Sequence, residues 1–87
     1  MKGKRLADDI DWSSQNPNGS YWRHQGVWVC ITPNGHFGSL RKHQVIEHED
    51  GSITVTPSIL VSTVRPKDGQ SVELWHGFLE RGSWREC

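Results

Sequence analysis

His48-Glu49-Asp50-Gly51-Ser52-Ile53-Thr54-Val55-Thr56-Pro57-Ser58-Ile59-Leu60-Val61 is the stretch that decides the fold class of this chain. Asp50-Gly51 lies between Val45-Ile46-Glu47-His48 and Ser52-Ile53-Thr54-Val55-Thr56, two runs rich in β-branched residues, which is a strong hairpin signal. Asp and Gly tolerate the positive φ values that a tight primed turn demands, and the twist of the flanking strands selects such turns. Pro57 lacks a ladder donor, so the second strand must stop, bulge or run along an edge before Ser58-Ile59-Leu60-Val61 continues.

On the C-terminal side, Arg65-Pro66-Lys67-Asp68-Gly69-Gln70 reads as a polar loop, and Ser71 to Leu79 resumes a strand. Alternation sets Val72, Leu74, His76 and Phe78 on one face and Glu73, Trp75, Gly77 and Leu79 on the other. Glu80-Arg81-Gly82 turns the chain tightly, and Ser83-Trp84-Arg85-Glu86 returns antiparallel. On the N-terminal side, Tyr21-Trp22-Arg23-His24 is a short strand, Gln25-Gly26 a turn, and Gly26 to Ile31 a central strand apolar enough for burial on both faces. Thr32-Pro33-Asn34-Gly35 fits a turn with proline at its second position. His36 to Leu40 leads into Arg41-Lys42-His43-Gln44, where Ser39 caps a single helical turn. The expected fold is mostly β: a small antiparallel meander or barrel-like sheet of about five or six short strands.

Residues 1–20 form an N-terminal arm and linker, and residues 21–87 a single small β domain. Leu6 and Ile10 share a helical face, but one turn without a clear cap is marginal alone, so the arm is either docked or disordered. Ser13 to Ser20 collects turn-forming residues and reads as the linker.

With 87 residues there is room for one modest core, and hydrophobic residues make up only 33%. Five tryptophans must therefore supply much of the apolar area, at roughly 150–250 Å² per large ring. Ten basic and ten acidic residues cancel, which disfavours nucleic acid or an anionic membrane surface as a partner. The basic start has no apolar run behind it, and no stretch approaches the ~18 apolar residues of a membrane span, so a soluble cytoplasmic protein is expected. Cys30 and Cys87 are too few for a disulfide scaffold, and Cys30 reads as a small core residue.

Five histidines, His24, His36, His43, His48 and His76, raise the question of metal. None pairs with another His or a Cys at a zinc spacing, so neither a metal nor another cofactor is expected. His76 needs a partner among Val72, Leu74 and Phe78, and a backbone carbonyl or Ser58 would serve. Its sharper reading makes Ser58 a nucleophile and His76 its base, but the sequence supplies no third group and none of the glycines of a nucleophile elbow. The glycines form no phosphate loop, and the carboxylates at Asp8-Asp9-Asp11 and Glu47-Glu49-Asp50 read as solvated flanks. Trp28 and Trp75 read as core. Trp22 and Trp84 flank charges in edge strands, so Trp22, Arg23, His24, Trp84 and Arg85 are the expected contact surface.

Four blocks, Tyr21-Trp22-Arg23-His24, Thr32-Pro33-Asn34-Gly35-His36, Glu47 to Ile59 and Trp75-His76-Gly77-Phe78-Leu79-Glu80-Arg81-Gly82-Ser83-Trp84, together resemble a family of short bacteriophage and prophage proteins of unknown function. Its marks are a Thr-Pro-Ser-Ile block followed by a Trp-His-Gly-Phe-Leu type block. The resemblance implies a phage origin and action inside a bacterium. Other branches carry a cysteine cluster near the first strands that looks metal-binding; only Cys30 stands there in this chain, so a structural zinc does not carry over.

The leading expectation is a small phage accessory protein that acts by binding a host or phage protein, for instance inhibiting a host defence factor. The alternative is a homo-oligomeric ligand-binding sponge or virion-decorating subunit, because edge strands near Trp84 offer a pairing surface. A small hydrolase using Ser58 and His76 comes third.

Overall fold

In the computed structural model, which describes residues 1–11 and 16–87, every regular element is a β-strand. The eight strands are β1 (Lys4–Arg5), β2 (Ser20–His24), β3 (Val27–Ile31), β4 (Phe37–Ser39), β5 (Gln44–Glu47), β6 (Ile53–Val64), β7 (Ser71–Glu80) and β8 (Ser83–Glu86). They form two four-stranded sheets, ordered β1-β2-β3-β4 and β5-β6-β7-β8, and neither closes into a barrel. All pairings are antiparallel except β1 with β2, which is parallel. The fold is therefore all-β, as its composition and turns imply, with β1 and β4 beyond the five or six strands expected.

The hairpin at Asp50-Gly51 forms, but not through a primed turn. His48 N–H donates to the Ser52 carbonyl at 2.8 Å, and Gly51 N–H to that of His48 at 3.0 Å. Gly51 takes a positive φ of 86° and Asp50 does not, which makes a three-residue turn ending in a glycine bulge. Asp50 Oδ1 accepts from Ser52 N at 2.9 Å and from Ser52 Oγ at 2.6 Å. Those bonds, the hydroxyl's first, hold the Asp50 carboxyl below the usual carboxylate range. Thr32 to His36 repeats the design, with Gly35 at φ 92°. The two-residue turns with both φ positive stand at Gln25-Gly26 and Arg81-Gly82.

β6 runs through Pro57, which follows a cis peptide bond, by bulging: two extra residues of β6 lie between the pairs Val55↔Leu79 and Ile59↔Gly77. A second shift inserts one extra residue of β7, between Val61↔Trp75 and Ser62↔Glu73. The helical turn expected at Arg41–Gln44 is absent. His43 N–H closes a turn onto the Leu40 carbonyl at 2.9 Å, and from Gln44 the chain pairs with Thr56 of β6, so Ser39 caps nothing helical.

The start of the arm, Met1 to Leu6, is docked and joins the sheets. Met1 and Trp84 exchange bonds, the Met1 amine donating to the Trp84 carbonyl at 3.1 Å and Trp84 N–H to that of Met1 at 2.7 Å. Gly3 N–H donates to the Gly82 carbonyl at 2.7 Å, while Lys4 and Leu6 donate to Gly19 and Tyr21 of the other sheet at 3.1 and 2.9 Å. The Ser13–Ser20 linker falls partly on residues 12–15, outside the described residues; its last member, Ser20, is buried and opens β2. Arg5 adds a side-chain tie across the sheets, donating to Glu47 Oε2 at 2.8 Å and the Gly51 carbonyl at 2.9 Å.

The core lies between the sheets: Tyr21, Cys30 and Leu40 meet Ile53, Val55, Ile59, Trp75, Leu79 and Trp84. On β7, Trp75, Gly77 and Leu79 face it while Leu74, His76 and Phe78 are half-buried on the other side. β3 is central in hydrogen bonding, but only Val29 and Cys30 are buried, because Val27 near its turn stands in solvent.

Candidate functional site

β6 has 12 residues and β7 has 10, whereas β5 pairs with β6 only up to Gln44↔Thr56 and β8 with β7 only as far as Gly77↔Glu86. Beyond these points β6 and β7 continue as a two-stranded ribbon. At about 3.3 Å per residue a strand of this length approaches 40 Å, which accounts for much of the 45 Å long axis.

The ribbon's two edges differ. Cys87 N–H donates to the His76 carbonyl at 3.0 Å, so the main-chain groups of His76 face away from β6. Leu60, opposite His76, is thus in a non-bonded pair and turns its own N–H and C=O outward. At the far end Arg65 N–H bonds the Gln70 carbonyl at 2.9 Å, which sets the neighbouring pair Val64↔Ser71 outward too. Period-two alternation adds Ser62. On β7, Asn34 Nδ2 caps the Leu74 carbonyl at 3.0 Å and Cys87 caps His76. Among the described residues no strand pairs with Leu60, Ser62 or Val64 on β6's outer side. Ile53 to Val64 contains no charged residue, and Leu60 and Val64 are 54% and 60% exposed.

At the base of the ribbon the bulges assemble a polar cluster. Ser58 Oγ and His76 Nε2 are 3.0 Å apart, and His76 Nδ1 is 3.8 Å from Glu73 Oε1. The Ser58–His76 contact matches the expectation for that pair, but on the half-open face of β7 and not in the core. Plain alternation sets Glu73 on the face opposite His76; the extra residue of β7 between Ser62↔Glu73 and Val61↔Trp75 re-phases the strand and brings the carboxylate round. The sequence holds no sign of that bulge, which is why Glu73 escapes a sequence reading. His43 Nε2–H donates to the Ser58 carbonyl at 3.1 Å and anchors the bulge from β5's side.

The five residues expected to form a contact surface are not gathered into one. Trp22 is fully buried and Trp84 is 3% exposed, so neither ring faces solvent. Trp84 sits against Trp75 edge-on, centroids 5.3 Å apart at 86°, and its Nε1–H donates to the Gly19 carbonyl at 2.8 Å. Arg23 pairs with Asp8 at 2.9 Å, and Arg85 pairs with Glu80 at 2.8 Å and covers the Phe78 ring at 4.5 Å. His24 Nδ1 is buried, 4.0 Å from Asp9 Oδ1. Trp28 is half-buried against the core, with the Arg5 and Arg23 guanidinium groups 4.6 and 5.5 Å from its centroid. The edge strands mislead because N-terminal residues cover them: Met1 and Gly3 lie along β8 and β1 along β2.

Among the described residues no group of three or more His, Cys, Asp or Glu side chains is placed to hold a metal ion. No helix among them is long and apolar enough to cross a membrane. No family model matches the chain, and neither the curated proteins nor the solved structures contain a match.

Proposed function

We propose that this is a small bacteriophage accessory protein that acts in the host cytoplasm by binding a host protein, which adds an extended segment to the outer edge of β6. The observation that carries the reading is the uncharged edge at Leu60, Ser62 and Val64, with outward main-chain groups and exposed aliphatic side chains. Long, uncharged, unpaired edges are templates for another strand, whose main-chain bonds supply affinity while alternate side chains supply specificity. The phage setting rests on the resemblance of the four sequence blocks.

The test uses the full chain as bait, with amide hydrogen exchange as readout. A stoichiometric host partner should slow exchange at Leu60, Ser62 and Val64. Ser62→Pro removes one outward donor and leaves the β7 ladder intact; losing about 1 kcal/mol of hydrogen bond together with close approach should weaken binding at least about tenfold. A partner that protects a different surface, or binds Ser62→Pro as tightly as wild type, sinks the reading.

The same edge favours one second reading, a homo-oligomer. Antiparallel pairing about Ser62 sets Leu60 of one copy beside Val64 of the other. Native mass spectrometry separates the two: a symmetric assembly lost with Ser62→Pro supports self-pairing.

A further inference from the structure

We propose that Ser58, His76 and Glu73 form a nucleophile, base and positioning residue that accept acyl groups from activated esters, an activity beyond the binding role above. The geometry has the required order. Ser58 Oγ is 3.0 Å from His76 Nε2, inside the range for a nucleophile and its base, and Glu73 Oε1 faces the other ring nitrogen at 3.8 Å. A carboxylate beside Nδ1 favours the tautomer with its proton there, which leaves Nε2 free to accept from Ser58. The register shift between Val61↔Trp75 and Ser62↔Glu73 brings Glu73 onto the face that Ser58 and His76 already share, and β-bulges re-aim side chains in this way beside active sites.

Access agrees with the chemistry. The His76 side chain is 36% exposed and that of Glu73 63%, so the site opens on solvent. Leu60, opposite His76 and 54% exposed, is an apolar platform for a short acyl chain. His43, bonded to the Ser58 carbonyl, holds the main chain on which the nucleophile sits.

In the step, Ser58 Oγ bonds to the ester carbonyl carbon while its proton passes to His76 Nε2. The carbon–oxygen bond to the leaving alcohol breaks, and that alcohol takes the proton. Water then attacks the acyl carbon, giving a proton to His76, which returns it to Ser58 Oγ as the carboxylic acid departs. Nothing is oxidised or reduced.

The full chain is treated with p-nitrophenyl acetate and, separately, with an alkyl fluorophosphonate, and adducts are located by peptide mass spectrometry. Both reagents should modify Ser58 in preference to Ser62 and Thr63 on the same exposed ribbon. Ser58→Ala should abolish the adduct, and His76→Gln should slow it about 100-fold, the usual reach of general-base assistance. Glu73 is exposed, so Glu73→Gln leaves the fold in place; it should slow labelling about tenfold by loosening the ring's orientation, and Glu73→Asp should recover part of the rate. Ser58 labelled no faster than Ser62, or labelled at an unchanged rate in Glu73→Gln and His76→Gln, overturns the proposal.

Discussion

Replacing Trp84 by Phe tests how the two sheets are held together. Trp84 Nε1–H donates to the Gly19 carbonyl at 2.8 Å, and the same carbonyl accepts from Lys4 N–H at 3.1 Å, so one oxygen ties β8, the arm and the turn before β2. Phenylalanine keeps a ring near Trp75 but removes the donor and about 40 Å² of buried apolar surface, worth about 1 kcal/mol at ~25 cal/mol/Å². Because Lys4 still satisfies the Gly19 oxygen, the lost bond belongs at the low end, about 1 kcal/mol, with up to about 1 more for unfilled space. The sum, about 2–3 kcal/mol, lowers Tm by roughly 10–20 °C in a domain of this size. Circular dichroism melts and urea titrations measure it directly. Trp22→Phe is the control, since Trp22 is equally buried while its Nε1 has no acceptor among the described residues. It loses ring area alone and should cost about 1 kcal/mol less. A Trp84→Phe variant no less stable than Trp22→Phe would refute the donor's part in joining the sheets.

Three further outcomes are expected. Iodoacetamide at neutral pH should modify exposed Cys87 and spare buried Cys30, whose thiol burial pushes up to about 12. Because the unfolded thiol ionises near ~8.5 and the folded one does not, stability should fall between those two values by up to about 1.4 kcal/mol per pH unit, a slope that Cys30→Ala should flatten in alkaline denaturation curves. Asp8, held below the usual carboxylate range by the hydrogen bond from Arg23 and then by that from Arg5, lends stability that is present above its unfolded pKa and lost as pH falls through its folded one. Acid titrations should be shallower for Asp8→Asn, and an identical acid limb would count against the pairing. Gly3→Ala would set a methyl 2.8 Å from both the Gly19 oxygen and Trp84 Nε1; it should cost about 1–3 kcal/mol, and an unmoved urea midpoint would show that the arm does not pass that close.

Much of the strand pattern is legible because it depends on local chemistry. Gln25-Gly26, Thr32-Pro33-Asn34-Gly35, Asp50-Gly51 and Arg81-Gly82 all carry glycine at a positive φ, and glycine is visible in a sequence. The turn type at Asp50-Gly51 is not, because the Asp50 carboxylate bonds Ser52 and the strands close at Glu47↔Ile53. β1 escapes notice because Lys4-Arg5 has no strand signature of its own: its partners, Gly19 and Tyr21, come from distant chain. Trp75 reads as core and is core, whereas Trp22, Trp84 and Trp28 mislead for the same reason. Trp22 and Trp84 look like edge residues until N-terminal residues cover their strands, while Trp28, read as core, keeps a half-exposed ring under two arginines. Ser58 and His76 are recognisable as a pair by chemistry. Glu73 joins them only through a shift of register, a property of pairing between strands and not of either strand alone.

The arm's position also bears on the order of folding. Met1 and Trp84 bond across 83 positions, and closing so long a loop in an unstructured chain costs about 4 kcal/mol in the length-dependent term alone. Each hairpin from β2 to β8 closes only a short loop, and once they stand the ends they leave are already neighbours. The arm is therefore expected to dock last, onto sheets already formed, and φ-values near zero for Gly3→Ala would be the sign that its contacts are absent from the rate-limiting barrier. On that order, changes there should act on how fast the protein comes apart and leave untouched how fast it comes together.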